Sequence, residues 1–217
     1  MHRDHSVKSS PENHATAAGL SSNDSEISVL SRTCVFENTV FSVYADHIVD
    51  KNQHQVERYL SVVPVCLLED SIAGVAVLPI KEGRLGLIRI YRHPLGRWSW
   101  EVIKGHVEPG ENVSLSAVRE LREEAGFSVL PEELIDLGAA SPEAGVIKAR
   151  TRLFAVDVSE KTVSPVDGEL GHGEMAFISR EEVYGLIAQG EIEDASTLVL
   201  VYKHLLKQIL SNDISNI

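Results

Sequence analysis

Glu120, Glu123 and Glu124 crowd into the run Arg119-Glu120-Leu121-Arg122-Glu123-Glu124-Ala125-Gly126. In a helix, Glu120 and Glu124 stack on one face, with Glu123 beside them. Carboxylates bunched in this way repel one another unless something positive joins them. Hard oxygen ligands suit Mg²⁺, which takes one or two carboxylates and keeps several waters. An ion so held can bridge phosphate oxygens and activate a water. The spacing alone leads to metal-assisted chemistry on phosphates; the plain alternative is a solvated helix laced with Glu/Arg pairs.

The neighbouring residues supply the element that must position these carboxylates. Asn112 or Ser114 can cap a helix start, and Gly126 suits the left-handed residue after its end. Val118, Leu121 and Ala125 fall at helical spacing and are expected to pack inward, with Arg119 and Arg122 between that apolar stripe and the acidic one. Gly105, Pro109 and Gly110 make a turn-rich approach to the helix.

Residues 105–127 read GHVEPGENVSLSAVRELREEAGF. They follow the pattern Gly, five residues, Glu, seven residues, Arg-Glu-aliphatic, one residue, Glu-Glu, one residue, Gly-apolar. Gly105, Glu111, Arg119, Glu120, Leu121, Glu123, Glu124, Gly126 and Phe127 fill every fixed position. At average residue usage, a chance match is on the order of 1 in 10⁸ per start position. The stretch is identified as a Nudix box. The resemblance implies an α/β fold with a mixed sheet, the Nudix α/β/α sandwich. It also implies Mg²⁺ as cofactor, with Mn²⁺ as an alternative. On this resemblance Glu120 and Glu124 are metal ligands, Glu123 is a third ligand or a base, and Arg119 orients a box glutamate. Glu111 braces the loop and helix. The backbone carbonyl of Lys104, just before the box glycine, is a further metal ligand, while its side chain places a positive charge near the site where relatives carry alanine.

A chain of 217 residues is long enough for one substantial domain with extensions. Hydrophobic content of 43% is ordinary for a soluble globular protein, as is the mean hydropathy of -0.03. The net charge of -12, with no strongly basic block, argues against a nucleic-acid partner. A small anionic substrate stays open, since a metal and a few local arginines can hold a diphosphate. Two distant cysteines, Cys34 and Cys66, make neither a zinc site nor a disulfide framework. No apolar leader or membrane-length run appears, so no membrane partner and a cytoplasmic location are expected.

Residues 1–33 read as a polar tail, and a solvated tail is favoured over a metal tract at His2, His5 and His14. Residues 34–63 read as a β-hairpin: one strand through Val35 and Val43 to Val49, a turn at residues 50–53, and a return through Val56, Tyr59 and Val62. The ADP-ribose pyrophosphatases of the Nudix family carry a similar N-terminal sheet that exchanges between subunits, so the resemblance implies a homodimer built partly on this antiparallel extension. Residues 64–217 are read as the hydrolase domain. Within it, residues 72–80 form a strand buried on both faces, 85–92 another, 131–137 a short helical piece and 151–158 a strand. Ser179 and Glu182 form a capping box for a helix carrying Val183, Leu186 and Ile187 inward, and a last helix follows.

The segment Arg89-Ile90-Tyr91-Arg92-His93-Pro94 resembles the Arg-x-Tyr-Arg-x-Pro segment of ADP-ribose pyrophosphatases, with Arg92 at the position that contacts substrate. Arg92, Arg89, Glu101 and Trp98 are taken as the substrate-binding set; an indole can stack on a base, and core packing is its competing use. Pro142 lies fifteen residues beyond Phe127, like the marker of ADP-ribose-cleaving members. The following Glu143-Ala144-Gly145 departs from their usual Ser-Pro-Gly-acid reading. The implied reaction is hydrolysis of a nucleoside diphosphate linked to X, with ADP-ribose first, another nucleotide sugar second and a non-catalytic sensing module third. In the ADP-ribose pyrophosphatases the general base comes from the acidic loop before a late strand. Here that loop offers Glu174 first and Glu169 next, with Glu143 behind them.

Overall fold

The computed structural model describes residues 26–166 and 168–214; the reading of a tail with His2, His5 and His14 falls outside them. The first element is a three-stranded antiparallel sheet, β1 (Ile27–Glu37), β2 (Phe41–Asp50) and β3 (Gln55–Pro64). This corrects the two-stranded hairpin. The expected single strand breaks where the Asn38 side chain accepts hydrogen bonds from the backbone of Val40 and Phe41, at 2.9 and 2.7 Å. Such an Asn turn reverses the chain within a run rich in β-branched and aromatic residues. Strand β1 starts at Ile27, inside the stretch read as tail, where Ile27 and Ser28 pair with Asp50 and Val49. The turn at residues 50–53 forms as expected, with Gln53 at positive φ. At the centre of the sheet Asp46 is buried between the Arg32 guanidinium, at 2.7 and 2.8 Å, and the Ser61 hydroxyl.

A seven-stranded mixed sheet follows. Its strands are β4 (Ile72–Lys81), β5 (Arg84–Arg92), β6 (Arg97–Glu101), β7 (Ile103–His106), β8 (Ile135–Ala140), β9 (Arg150–Asp157) and β10 (His172–Ile178). The order is β10-β5-β4-β9-β8, with β6 on β5 and β7 on β4; β4 and β9 run parallel and the other pairs antiparallel. Helix α1 (Val113–Ala125) covers one face, and α2 (Arg180–Ala188) and α3 (Ala195–Ile214) cover the other. Strand β4 reads as a continuous apolar run because both its faces are covered. Val75 and Val77 join Leu121 and Phe127 on the α1 side, and Ala76 and Leu78 join Val183 and Leu200 on the other. This is a mixed α+β sandwich. The short helix expected over 131–137 is a single turn at Pro131–Glu133, and Ile135 onward is strand β8. Edge pairing with β9 at Ile135 and Asp136 outweighs the weak helical signal.

The two sheets meet at the loop before β9. The Val62 amide donates to the Val146 carbonyl and the Lys148 amide to the Val62 carbonyl, at 2.8 and 2.9 Å. The Tyr59 hydroxyl donates to the Gly145 carbonyl. The N-terminal sheet therefore docks on the segment that follows Pro142. Both cysteines are free thiols, and none of the described helices is long and apolar enough to cross a membrane.

Helix α1 has the expected ends. Asn112 accepts from the Leu115 amide at 2.9 Å, and Gly126 takes φ 74° as the terminal residue. A side chain at Gly126 would also overlap the Ser164 carbonyl oxygen, whose amide bonds back to Gly126. Gly126→Ala is expected to cost more than about 1 kcal/mol, the left-handed penalty alone for an L-residue. Urea unfolding at equilibrium checks it; an unchanged midpoint would show that the turn relaxes freely.

Candidate active site

The inward face of α1 carries Ala117, Leu121 and Ala125, with Val118 only half-buried; this places Glu120 and Glu124 at the rim of the core. Both glutamates are 8% exposed. Gly105 on β7 makes room for them: a Cβ there would overlap the Glu120 carboxylate. Arg119 ties the approach loop to the helix. Its Nη1 donates to Glu120 at 2.7 Å and to Glu123 at 3.2 Å, its Nε to Glu111 at 3.1 Å, and its Nη2 to the His106 carbonyl at 2.9 Å. Glu111 also accepts from the Ser116 hydroxyl at 2.7 Å. Arg119 and Ser116 hold the Glu111 carboxyl below the usual range. Burial works against the Arg119 charge, but Glu111 and Glu120 raise its pKa overall. Arg119 is thus bonded to Glu120 on the helix and to Glu111 and the His106 carbonyl on the approach loop.

The electrostatics of the two buried glutamates differ. Burial pushes Glu120 up, while Arg119 pulls against the rise. Burial, aided by neighbouring Glu120, pushes Glu124 up to about 8. The only hydrogen bond to Glu124 among the described residues is a long one, 3.4 Å, from the Lys104 amide. Two buried carboxylates of which one lacks a cation are a fitting seat for a divalent metal. When bound, such an ion neutralises phosphate oxygens and activates water.

Across a cavity of about 850 Å³ from α1 stand Glu169 and His172, and Arg92 forms part of the wall. His172 Nε2 lies 3.8 Å from Glu124 and 3.7 Å from Glu169. One atom from each of Glu124, Glu169 and His172 lies within 4.8 Å of the others, near enough to hold one cation. The sequence reading passed over His172. Its signal was the flanking pair Gly171 and Gly173: Gly171 has φ 85°, and a Cβ on Gly173 would crowd the Arg89 backbone and Trp98. The N-terminal sheet reaches the same cavity through Phe41 and Pro64. Phe41 meets His106 edge-on at 5.8 Å, and burial pushes the His106 imidazole down.

Several expected positions fall elsewhere. Glu174 is exposed and does not line the cavity; the ladder slips between His172 and Met175, so alternation does not carry Glu174 inward. Glu143 is exposed and accepts from the Gly145 amide of its own turn. Arg89 stands over the Trp100 ring at 5.8 Å, and Trp98 meets Tyr91 edge-on at 5.6 Å, both away from the cavity. Arg89 and Arg92, three apart on a strand, must face opposite sides. Glu101 is 1% exposed, with its carboxylate taken by Arg92 at 2.8 and 2.6 Å and by the Lys104 ammonium at 2.7 Å. It therefore presents no free oxygen to a ligand. The Lys104 side chain turns toward Glu101 and Asp194.

The family model for the NUDIX domain matches residues 70–200, more than half the chain. The chain belongs to the Nudix family. Among relatives, the ADP-ribose pyrophosphatase of Bacillus subtilis (strain 168) is 25% identical over 85% of this chain and 96% of its own. The ADP-ribose pyrophosphatase of Escherichia coli (strain K12) is 31% identical over 54% of this chain and 56% of its own length. A CMP-5'-(N-acetyl-N-hydroxy-3-aminopropyl)phosphonate hydrolase of Streptomyces rubellomurinus is 23% identical over 58% of this chain and 61% of its own. A crystal structure of an ADP compounds hydrolase superposes with a TM-score of 0.69 at 18% identity, covering 87% of this chain and 96% of that one. The Nudix sandwich is thus the fold of this chain, and family and relatives together support a pyrophosphohydrolase.

A metal seated on Glu124 would be coupled to protons through the raised carboxyl. Below about pH 8 the metal-free protein keeps that proton, and a metal must displace it. Apparent affinity for a divalent metal should therefore rise about tenfold per pH unit from about pH 6, levelling off near the Glu124 pKa. Calorimetry in buffers of differing ionisation enthalpy should find about one proton released at pH 7. A pH-independent affinity would contradict the assignment.

Proposed function

We propose that this chain hydrolyses the diphosphate of a nucleoside diphosphate linked to X, with Mg²⁺ as the working ion and Mn²⁺ able to replace it. ADP-ribose, giving AMP and ribose 5-phosphate, is the leading substrate. The reading rests chiefly on the buried Glu120 and Glu124 facing Arg92, Glu169 and His172 across one cavity. Glu120 and Glu124, with the Lys104 carbonyl and with Glu123 as a further carboxylate, would hold the ion. Arg92 donates to phosphate oxygens. A water attacks one phosphorus, the bond to the bridging oxygen breaks, and the electron pair leaves on that oxygen as the second phosphate. Glu169, rather than Glu174, takes the proton of the water.

The relatives named for ADP-ribose support the adenine nucleotide, and the one named for a CMP phosphonate favours a second reading, in which another nucleotide conjugate is cleaved. Two further parts of the reading are a cytoplasmic setting and a homodimer joined through residues 34–63. The apolar Val35, Phe36, Val56 and Leu60 stand exposed on the N-terminal sheet, and a second copy of the chain would cover them.

Phosphate-ester release should be followed across ADP-ribose, nucleotide sugars, dinucleoside polyphosphates and nucleoside triphosphates. Turnover is expected first on ADP-ribose and none in excess chelator; full activity in chelator would sink the metal role. Glu169→Gln is expected to lower kcat by at least about tenfold, and Glu174→Gln to leave it near the parent. The reverse ranking would return the base to Glu174. Light scattering at micromolar concentration should give twice the monomer mass, and a monomer would remove the dimer from this reading.

A further inference from the structure

Arg92 is held by charge and not by packing. Its side chain lines both the main cavity and a second cavity of about 430 Å³; Asp194 also lines both, while Glu101 and Glu193 line the second. A guanidinium bordering two open spaces can swing either way. What fixes it is the bidentate pair with buried Glu101, which uses Nε and Nη2. Nη1 makes no hydrogen bond among the described residues and is left for a ligand oxygen.

Behind Glu101 lies a second layer. The Lys104 ammonium sits 2.7 Å from Glu101 and 2.6 Å from Asp194. Asp194 caps α3, accepting from the Thr197 amide at 2.8 Å and hydroxyl at 2.7 Å. The Thr197 hydroxyl in turn accepts from the Val102 amide at 3.2 Å, beside Glu101 in sequence. Burial works against the Asp194 charge, but Lys104 and Thr197 hold its carboxyl below the usual range. The four groups Arg92, Glu101, Lys104 and Asp194 alternate in sign and cancel.

We infer that Lys104 and Asp194 are positioning residues for Arg92: the ammonium occupies Asp194, so that Arg92 stays on Glu101 and keeps Nη1 free. Without the ammonium, Asp194 becomes an uncompensated carboxylate on the cavities that Arg92 also lines. It then competes with Glu101 for the guanidinium and draws it out of the bidentate geometry that leaves Nη1 free. The inference deepens the proposed function and rests on its assignment of a diphosphate to the main cavity.

ADP binding in saturating Mg²⁺, read by calorimetry, tests it without needing turnover. Lys104→Met keeps the stem and removes the charge, and should weaken ADP about tenfold, the scale of a lost charge-assisted hydrogen bond. Lys104→Met/Asp194→Asn should return to within about threefold of the parent, since Asn still caps α3 and no longer competes. In an Arg92→Ala background, Lys104→Met should have no further effect. Thermal unfolding of each variant separates these losses from misfolding. A merely structural lysine would leave the double variant no better than Lys104→Met, which overturns the inference. So would an equal loss in the Arg92→Ala background, parental affinity in a folded Lys104→Met, or a parent that binds no ADP. If ADP follows the expected pattern while no substrate is turned over, the hydrolase reading fails and the positioning role stands.

Discussion

Two carboxylates of the same sign, buried one turn apart on a single helix face, govern the rest of this molecule. In low dielectric each disfavours the ionisation of the other, and burial disfavours both. Glu120 is partly relieved by an ion pair with Arg119, whereas Glu124 has the Lys104 amide and the more distant Arg92 charge to offset its burial. The arrangement persists because the helix carrying it is fixed at both ends and along its inner face. Asn112 closes its start, Gly126 its end, and Leu121 is fully buried against the sheet. Gly105 then lets the Glu120 carboxylate lie where any other residue would displace it. The packing holds an electrostatic arrangement that is unfavourable until a cation joins it.

An acidic protein that is to receive a diphosphate must place its cations with care. Arg119 is satisfied within the loop and helix, so it organises the carboxylates instead of meeting a ligand. Arg92 differs. Its partner Glu101 is wholly buried, and its Nη1 makes no hydrogen bond among the described residues. The half-buried lysine at 104 adds a charge close to the buried glutamates, and Asp194, at the start of α3, cancels it. A long-range pair thereby joins the last helix to the strand that enters the Nudix box.

The N-terminal sheet contributes to the same cavity through Phe41 and Pro64, and it docks on the loop after Pro142 through Val62 and Tyr59. Its outer apolar residues remain exposed, while its centre is specified by a buried aspartate held by Arg32 and Ser61. Such a polar contact within a sheet fixes register more than it adds stability.

The box was legible because its residues are contiguous and its geometry is that of one helix. Periodicity gave the shared face of Glu120 and Glu124, and the cap and stop residues gave the ends. Strand β4 was legible for the same reason, since a double-sided apolar run has one simple meaning. What the sequence could not determine is which residues from distant segments share a cavity. Arg89 and Trp98 face elsewhere because of strand alternation and β5–β6 register, and Glu174 because the β10 ladder slips after His172. Glu101 looked available until the structure paired it with Arg92 and Lys104. Asp194 meets Lys104 only because α3 returns across the sheet. Local spacing follows from the covalent chain, whereas pairing between segments depends on register and burial, which exist only once the sheets and helices have packed.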